Sequence, residues 1–293
     1  MRRAAVVLLV LPMLAVSSCA PASSSPSSVR ATRSAATPAA ATPERSSTAA
    51  GSASGATPAA NRAGSGVSAP ASAVPTPGAS AAPLVYEELV TGGAAAEDAL
   101  PLVIGIHGLG DSPAGVREMA ARFTGRARFV LPRAPTAYGP GFAWFPYYGG
   151  RGTPQQYADG VGGAAMLVAA TIRAVRASRP SVGKTVVTGF SQGGMITYAL
   201  AVQHADIVDA AIPIAGYLPM PLLPPAGTRL PTIHSLHGDA DPIVPLARDE
   251  ACVTALRALG ADISLHTYPG VPHTMTEAMR VDLNAEIAAA LAR

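Results

Sequence analysis

Cysteine is nearly absent from this 293-residue chain, which has only Cys19 and Cys252. Two cysteines, one of them close to the amino terminus, exclude a disulfide-stapled scaffold. Aromatic residues make up 5% of the chain and charged residues 13%. The aromatics are absent from one whole stretch. Residues 20–82 contain no Phe, Tyr or Trp, and no Leu, Ile or Met. Such a segment cannot bury enough surface to offset chain entropy, which excludes a packed core there. The apolar run at the amino terminus, Ala4 to Val16, falls short of the ~20 residues of a membrane-spanning helix. A concentrated positive charge is also missing. The formal charge is +3, but Arg2, Arg3 and four arginines of residues 20–82 lie outside the remaining chain. Of 21 basic residues 15 then remain, and of 18 acidic residues 17 remain once Glu44 is set aside. A net charge of −2 implies no nucleic-acid partner.

What is present divides into three parts. Residues 1–18, "MRRAAVVLLVLPMLAVSS", have the basic start, short apolar middle and small-residue end of a secretory signal. The "VSSC" that follows resembles a bacterial lipobox, which implies Cys19 as the first mature residue and the site of lipidation. The expected location is extracytoplasmic, on a membrane held through that lipid. Residues 19–82, rich in Ala, Ser, Pro, Thr and Gly, read as a disordered tether, spanning about 45 Å as a flexible coil. Residues 83–293 are long enough for one large domain. Cys252 falls in a helical pattern there and reads as a small core residue.

Within 83–293, short apolar runs alternate with longer helical patterns. Strands are predicted at Leu84–Val90, Leu102–Ile106, Ala127–Leu131, Thr185–Thr188, Ala211–Ala215, Thr232–Leu236 and Ile263–Tyr268. The middle ones are nearly unbroken in Val, Ile and Leu, as strands buried on both faces are. Helices are predicted from Ser112-Pro113 to about Phe123, with Ser112 as N-cap, and over 155–178, 192–204, 246–259 and 274–292. This alternation predicts an α/β fold with a mostly parallel sheet of about seven strands flanked by helices. Ligands of such sheets bind beyond the carboxyl ends of the strands.

The loops after those ends carry the chemistry: "HGLGD" (107–111), "GFSQGG" (189–194), "HGDADPIV" (237–244) and "PGVPH" (269–273). Ser, Asp and His follow one another in the order of an α/β-hydrolase triad. Ser191 sits where a strand turns sharply into a helix, with Gly189 and Gly193 where side chains would collide. Asp241, further into its loop, is favoured over Asp239, whose side chain can cap the turn. His273, past its strand end, is favoured over His266 within the strand. A metal site built from His234, His237, Asp239 and Asp241 is disfavoured, because residues three apart on a strand point to opposite faces. His204 is read as capping its helix or facing solvent.

"GFSQGGMITYALAV", "HGLGD", "HGDADPIVP" and "GVPHTM" together resemble the phospholipase/carboxylesterase family of α/β-hydrolases, which includes acyl-protein thioesterases. The resemblance implies Ser191, Asp241 and His273 as catalytic residues and the Leu109 and Gln192 N–H groups as the oxyanion hole. It implies cleavage of carboxylic esters, lysophospholipids or thioesters with no cofactor and no metal. His107 and Asp111 are read as braces of the oxyanion loop. "AWF" (143–145) matches a Trp-Phe pair of the family, so Trp144 and Phe145 are candidate pocket residues, with a core plug as the alternative. Leu218, in the apolar segment 217–227, is a third. The short gap between Gly216 and Pro231 leaves no room for a long helical cap, so small esters with short to medium acyl chains are the expected substrates. A lysophospholipase, a thioesterase or a non-catalytic surface binding module are the alternatives.

Overall fold

The computed structural model describes residues 82–149 and 151–292. The signal, Cys19 and almost all of the tether lie outside them. Among these residues nine strands and five α-helices follow in order, with one 3-10 turn at Met220–Leu222: β1 Tyr86–Val90, β2 Leu102–Ile106, α1 Pro113–Ala120, β3 Arg128–Pro132, β4 Thr136–Tyr138, β5 Gly141–Ala143, α2 Pro154–Ser178, β6 Thr185–Phe190, α3 Gln192–Gln203, β7 Ala210–Ile214, β8 Thr232–Gly238, α4 Leu246–Ala258, β9 Ile263–Tyr268 and α5 Glu277–Ala292. Seven strands form one sheet in the order β1-β3-β2-β6-β7-β8-β9. Only β1 runs antiparallel to its neighbour. This is an α/β-hydrolase-type sheet.

The chain steps outward from β2 to β3, then returns past β2 to build β6 to β9 on the other side. The order therefore reverses between β2 and β6, and a crevice opens beyond the carboxyl ends of strands at such a reversal. His107 to Leu109 follow β2 there, and Ser191 follows β6.

Alternate residues of the central strands feed two cores. Ile104, Val187, Ala211 and Ile233 pack with α2, α3 and α4. Val103, Val186, Ile212 and Leu236 pack with α1 and α5. Small residues along α2 (Ala164, Ala165, Ala169) let it approach α3, which is buried from Gln192 to Val202. α2 is apolar enough by composition to cross a bilayer, yet half of its apolar window is inside this core. Thr153 opens it with a capping box shared with Gln156. Cys252 is fully buried in α4, and burial pushes its thiol up to about 12, which leaves it protonated and inert.

Several boundaries differ from expectation. β6 runs on to Phe190, because Gly189 and Phe190 still pair with β7. β7 stops at Ile214, because Ala215 adopts φ 48°. α5 begins at Glu277, three residues late, where the Thr276 hydroxyl accepts from the Met279 N–H. Ser112 occupies the N-cap of α1 without a capping bond from its side chain; its own N–H donates to Asp111 instead. The β4–β5 hairpin was not anticipated. Its strands are three residues long, too short for a period to register.

Candidate active site

Ser191 has φ 58° and ψ −115°, a left-handed conformation that a non-glycine residue adopts at a cost of order 1–3 kcal/mol. The chain holds it there at both ends. The Ser191 N–H donates to the Ile214 carbonyl, and its own carbonyl receives the Met195 N–H of α3. The glycines around it permit the turn. A Cβ on Gly193 would lie 2.1 Å from the Ile106 carbonyl oxygen, and one on Gly189 would lie 2.6 Å from Gly193 backbone. β6 and α3 could not close on each other with any side chain at either position.

The structure brings Ser191, His273 and Asp241 together. His273 Nε2 is 2.9 Å from Ser191 Oγ, and His273 Nδ1 is 2.6 Å from Asp241 Oδ2. The carboxylate only accepts, so Nδ1 carries the proton and Nε2 is free to accept from the serine hydroxyl. Asp241 Oδ1 accepts the N–H groups of Ile243 and Val244, so its own loop fixes the carboxylate. Phe190 flanks the His273 ring at a centroid distance of 4.8 Å. Asp239 stands aside: its carboxylate accepts the Gly270 N–H and joins the two loops that carry Asp241 and His273. His266 is exposed on β9, stacked on Tyr268.

The opposite wall is a relay of hydrogen bonds around residues 107–111. The Trp144 indole donates to the His107 carbonyl, and His107 Nε2 accepts the Ala134 N–H while its Nδ1 donates to the Gly108 carbonyl. Both nitrogens of His107 are engaged as in the neutral ring. Burial lowers its pKa, against the opposing effects of the Gly108 bond and the Asp111 charge. The unanticipated hairpin supplies the outer support. Gly110 N–H donates to Phe142 O, and Phe142 N–H donates to Asp111 O. Gly141 packs so closely that a Cβ would lie 2.4 Å from the Gly110 and Asp111 carbonyls.

Gln192 ties this wall to the nucleophile. Its side-chain oxygen accepts the Trp144 N–H and its amide donates to the Phe145 carbonyl. Its backbone N–H is the first of α3, one of the donors a helix's opening turn leaves without an internal partner. Leu109 and Gln192 both line the cavity beside Ser191.

A second histidine–carboxylate pair lies behind the first. His237 Nδ1 is 2.8 Å from Asp249 Oδ2, and its Nε2 is 2.9 Å from the Val244 carbonyl. Val244 O only accepts, so Nε2 carries a proton, and a carboxylate at Nδ1 favours a second proton there. Burial works against that charge, but the Asp249 bond and charge, the Val244 carbonyl and the Asp241 charge outweigh it and raise the pKa. Asp249 also receives the Tyr198 and Ser235 hydroxyls. His234 points the other way, to Ser264 and to Glu286 of α5. The cluster weighed as metal ligands is thus split across the sheet. His204 is the C-cap of α3 and half-buried, with Nε2 enclosed and unpartnered rather than facing solvent.

The cavity at Ser191 has a volume of about 110 Å³ and is lined by apolar Phe145, Pro146, Met195, Ile243 and Val244, with tyrosines and Arg248. A larger cavity of about 290 Å³ lies behind the 107–111 loop, but Ser191 does not line it. Two candidate pocket residues are corrected. Trp144 is a buried brace, because its indole is consumed by the His107 carbonyl. Leu218 is 1% exposed and packs in the α2–α3–α4 core. Tyr217, Ile243 and Arg248 line the cavity and were missed. They come from segments whose approach to Ser191 no local pattern encodes.

Comparison with known proteins gives the family and the fold. A family model described as Phospholipase/Carboxylesterase matches residues 91–290. Acyl-protein thioesterase 1 of Mycosarcoma maydis is 31% identical over 206 residues, covering 58% of this chain and 82% of that protein. The Debaryomyces hansenii protein of the same name is 27% identical over 208 residues, covering 63% and 88%. Among solved structures, esterase PE8 superposes with a TM-score of 0.63 at 24% identity, covering 71% of this chain and 100% of that one. A phospholipase/carboxylesterase from Dyadobacter fermentans gives a TM-score of 0.56 at 22% identity, covering 72% and 100%. These two likenesses speak for the fold alone.

Proposed function

This chain belongs to the phospholipase/carboxylesterase family of α/β-hydrolases and is a hydrolase, and we propose that it is a serine carboxylesterase cleaving short- to medium-chain carboxylic esters through an acyl-enzyme. The observation that carries the reading is the unbroken hydrogen-bond line from Ser191 Oγ through His273 to Asp241, ending in a cavity.

In this mechanism His273 Nε2 takes the hydroxyl proton as Ser191 Oγ attacks the acyl carbonyl. Asp241 keeps the proton on Nδ1 and stabilises the imidazolium that forms. The Leu109 and Gln192 N–H groups receive the oxyanion, a donor of this kind contributing about 2.7–4 kcal/mol. His273 then passes its proton to the leaving alcohol. Water, deprotonated by His273, releases the acid and restores Ser191. The chemistry is the same for a thioester, and the thioesterase names of the relatives keep that leaving group in the comparison.

Chain length follows from the cavity. At about 110 Å³ it is well below the ~300–1,000 Å³ of typical drug-sized ligand sites. The apolar lining gains about 0.8 kcal/mol per methylene until it is full. Activity of the full chain on p-nitrophenyl esters should rise from acetate to medium chains and then fall. Ser191→Ala should abolish both turnover and labelling by a fluorophosphonate. A folded wild-type protein left unlabelled at Ser191 would instead favour a binding module. Thioesters and lysophospholipids measured alongside decide the leaving group. Growing activity toward long-chain lipid at an interface would overturn the size argument.

The proposed location is extracytoplasmic, with lipid on Cys19 holding the chain to a membrane. The basic start, the short apolar run and "VSSC" support it. Cells fed radiolabelled palmitate should label the wild type and not Cys19→Ala. Equal labelling of the two would remove the anchor.

A further inference from the structure

The cavity at Ser191 has one formally charged lining residue, Arg248. It stands at the exposed mouth, in the first turn of α4. Its Nη1 donates to the Tyr217 hydroxyl at 2.8 Å, and its guanidinium lies over the Tyr217 ring at 5.2 Å. Among the described residues it forms no salt bridge, whereas Arg117, Arg128 and Arg179 each meet a glutamate. A cation in the first turn of a helix opposes the macrodipole, so the position gives α4 no stability. The contacts to Tyr217 orient the guanidinium yet leave most of its five donors unused.

We infer that Arg248 selects esters whose acyl or alcohol part carries an anionic group, a carboxylate or a phosphate, a few bonds from the scissile carbonyl. The inference rests on the esterase reading and deepens it. Phe145, Met195, Ile243 and Val244 hold the uncharged part of such a substrate. Arg248 receives its anion through the paired N–H groups that match carboxylate and phosphate oxygens. No lining carboxylate competes for it.

The test is a ratio of kcat/KM values for matched pairs on the full chain. On the acyl side, mono-p-nitrophenyl glutarate is set against p-nitrophenyl pentanoate. On the alcohol side, butyryl glycerol 3-phosphate is set against monobutyrin. Arg248→Gln should lower the charged-to-neutral ratio about tenfold on at least one pair, mainly through KM, as expected for losing a charge-assisted hydrogen bond at an exposed mouth. Arg248→Lys should keep part of it. Added salt should lower the ratio in the wild type and not in Arg248→Gln. The pair that responds identifies the side on which the anion sits. A ratio unchanged on both pairs overturns the inference. Because the neutral esters and fluorophosphonate labelling report on Ser191 separately, failure of the esterase reading is distinguishable: it removes labelling and turnover of every ester.

Discussion

The molecule holds two histidine–aspartate pairs side by side. In each, Nδ1 meets an aspartate Oδ2, at 2.6 Å for His273–Asp241 and 2.8 Å for His237–Asp249. The Nε2 contacts are equal, 2.9 Å to Ser191 Oγ and 2.9 Å to the Val244 carbonyl. What differs is the chemistry of that last partner. A hydroxyl can give its proton, so His273 can serve as a base. A carbonyl can only accept, so His237 keeps its Nε2 proton and cannot take one there, and its surroundings raise its pKa. The His273 side chain is 15% exposed, open to substrate, and that of His237 is 0% exposed. The pairs are adjacent: Asp241 Oδ2 is 3.6 Å from His237 Nε2. In the proposed mechanism one pair moves protons, and the other holds the loop that carries Asp241.

The comparison breaks most sharply at Asp241. Asp241→Asn should lower kcat about 10⁴-fold by favouring the wrong His273 tautomer, with little change in the melting temperature. Steady-state kinetics beside a thermal melt checks this, and a kcat above a tenth of wild type would contradict the assigned roles. Asp249→Asn should do the reverse. It removes the buried charge that His237, Tyr198 and Ser235 all share, and breaking such a buried pair costs about 3–5 kcal/mol of stability. Urea unfolding should show that loss, while kcat per folded molecule falls far less than in Asp241→Asn.

Gln192→Ala sharpens the comparison from the other wall. It removes two hydrogen bonds, to Trp144 and Phe145, each contributing about 1 kcal/mol. The backbone N–H of residue 192 survives, so kcat should fall about tenfold rather than vanish. The smallest effect is in pH. His107 has a lowered pKa, so its contribution to stability is complete above 6.5 and is lost as pH falls through the folded value. His237 has a raised pKa, so its contribution is complete below 6.5 and is lost as pH rises through the folded value. The two limbs thus lie on opposite sides of 6.5, one falling toward acid and the other toward alkali. His237→Gln should flatten the alkaline limb and His107→Asn the acid limb in urea titrations. Unchanged limbs would refute the assigned charge states.

Much of this was legible along the chain. Seven short apolar runs announced the sheet, the middle ones nearly unbroken in Val, Ile and Leu because buried parallel strands tolerate little else. The glycines beside Ser191 announced the turn because backbone fills the space their side chains would need. Asp241 and His273 could be separated from Asp239 and His266 by their distance past a strand end. The β4–β5 hairpin was not legible, and neither was the fate of Trp144 and Leu218. A large apolar side chain carries the same local signal in a cavity wall as in a core.

The sequence by itself determined the strand and helix alternation, the family and the order in which Ser, Asp and His come to one edge. Those properties depend on short-range pattern, backbone sterics and the turn chemistry of a few residues. Only the tertiary structure decided that His237 is held between Asp249 and the Val244 carbonyl, that Gln192 clamps the wall opposite Asp241, and that Arg248 faces the cavity without a carboxylate. Each depends on which polar atom a neighbouring element places within about 3 Å, the range of a hydrogen bond. Partners such as Gln192 and Trp144, 48 residues apart, meet only when the sheet order is complete.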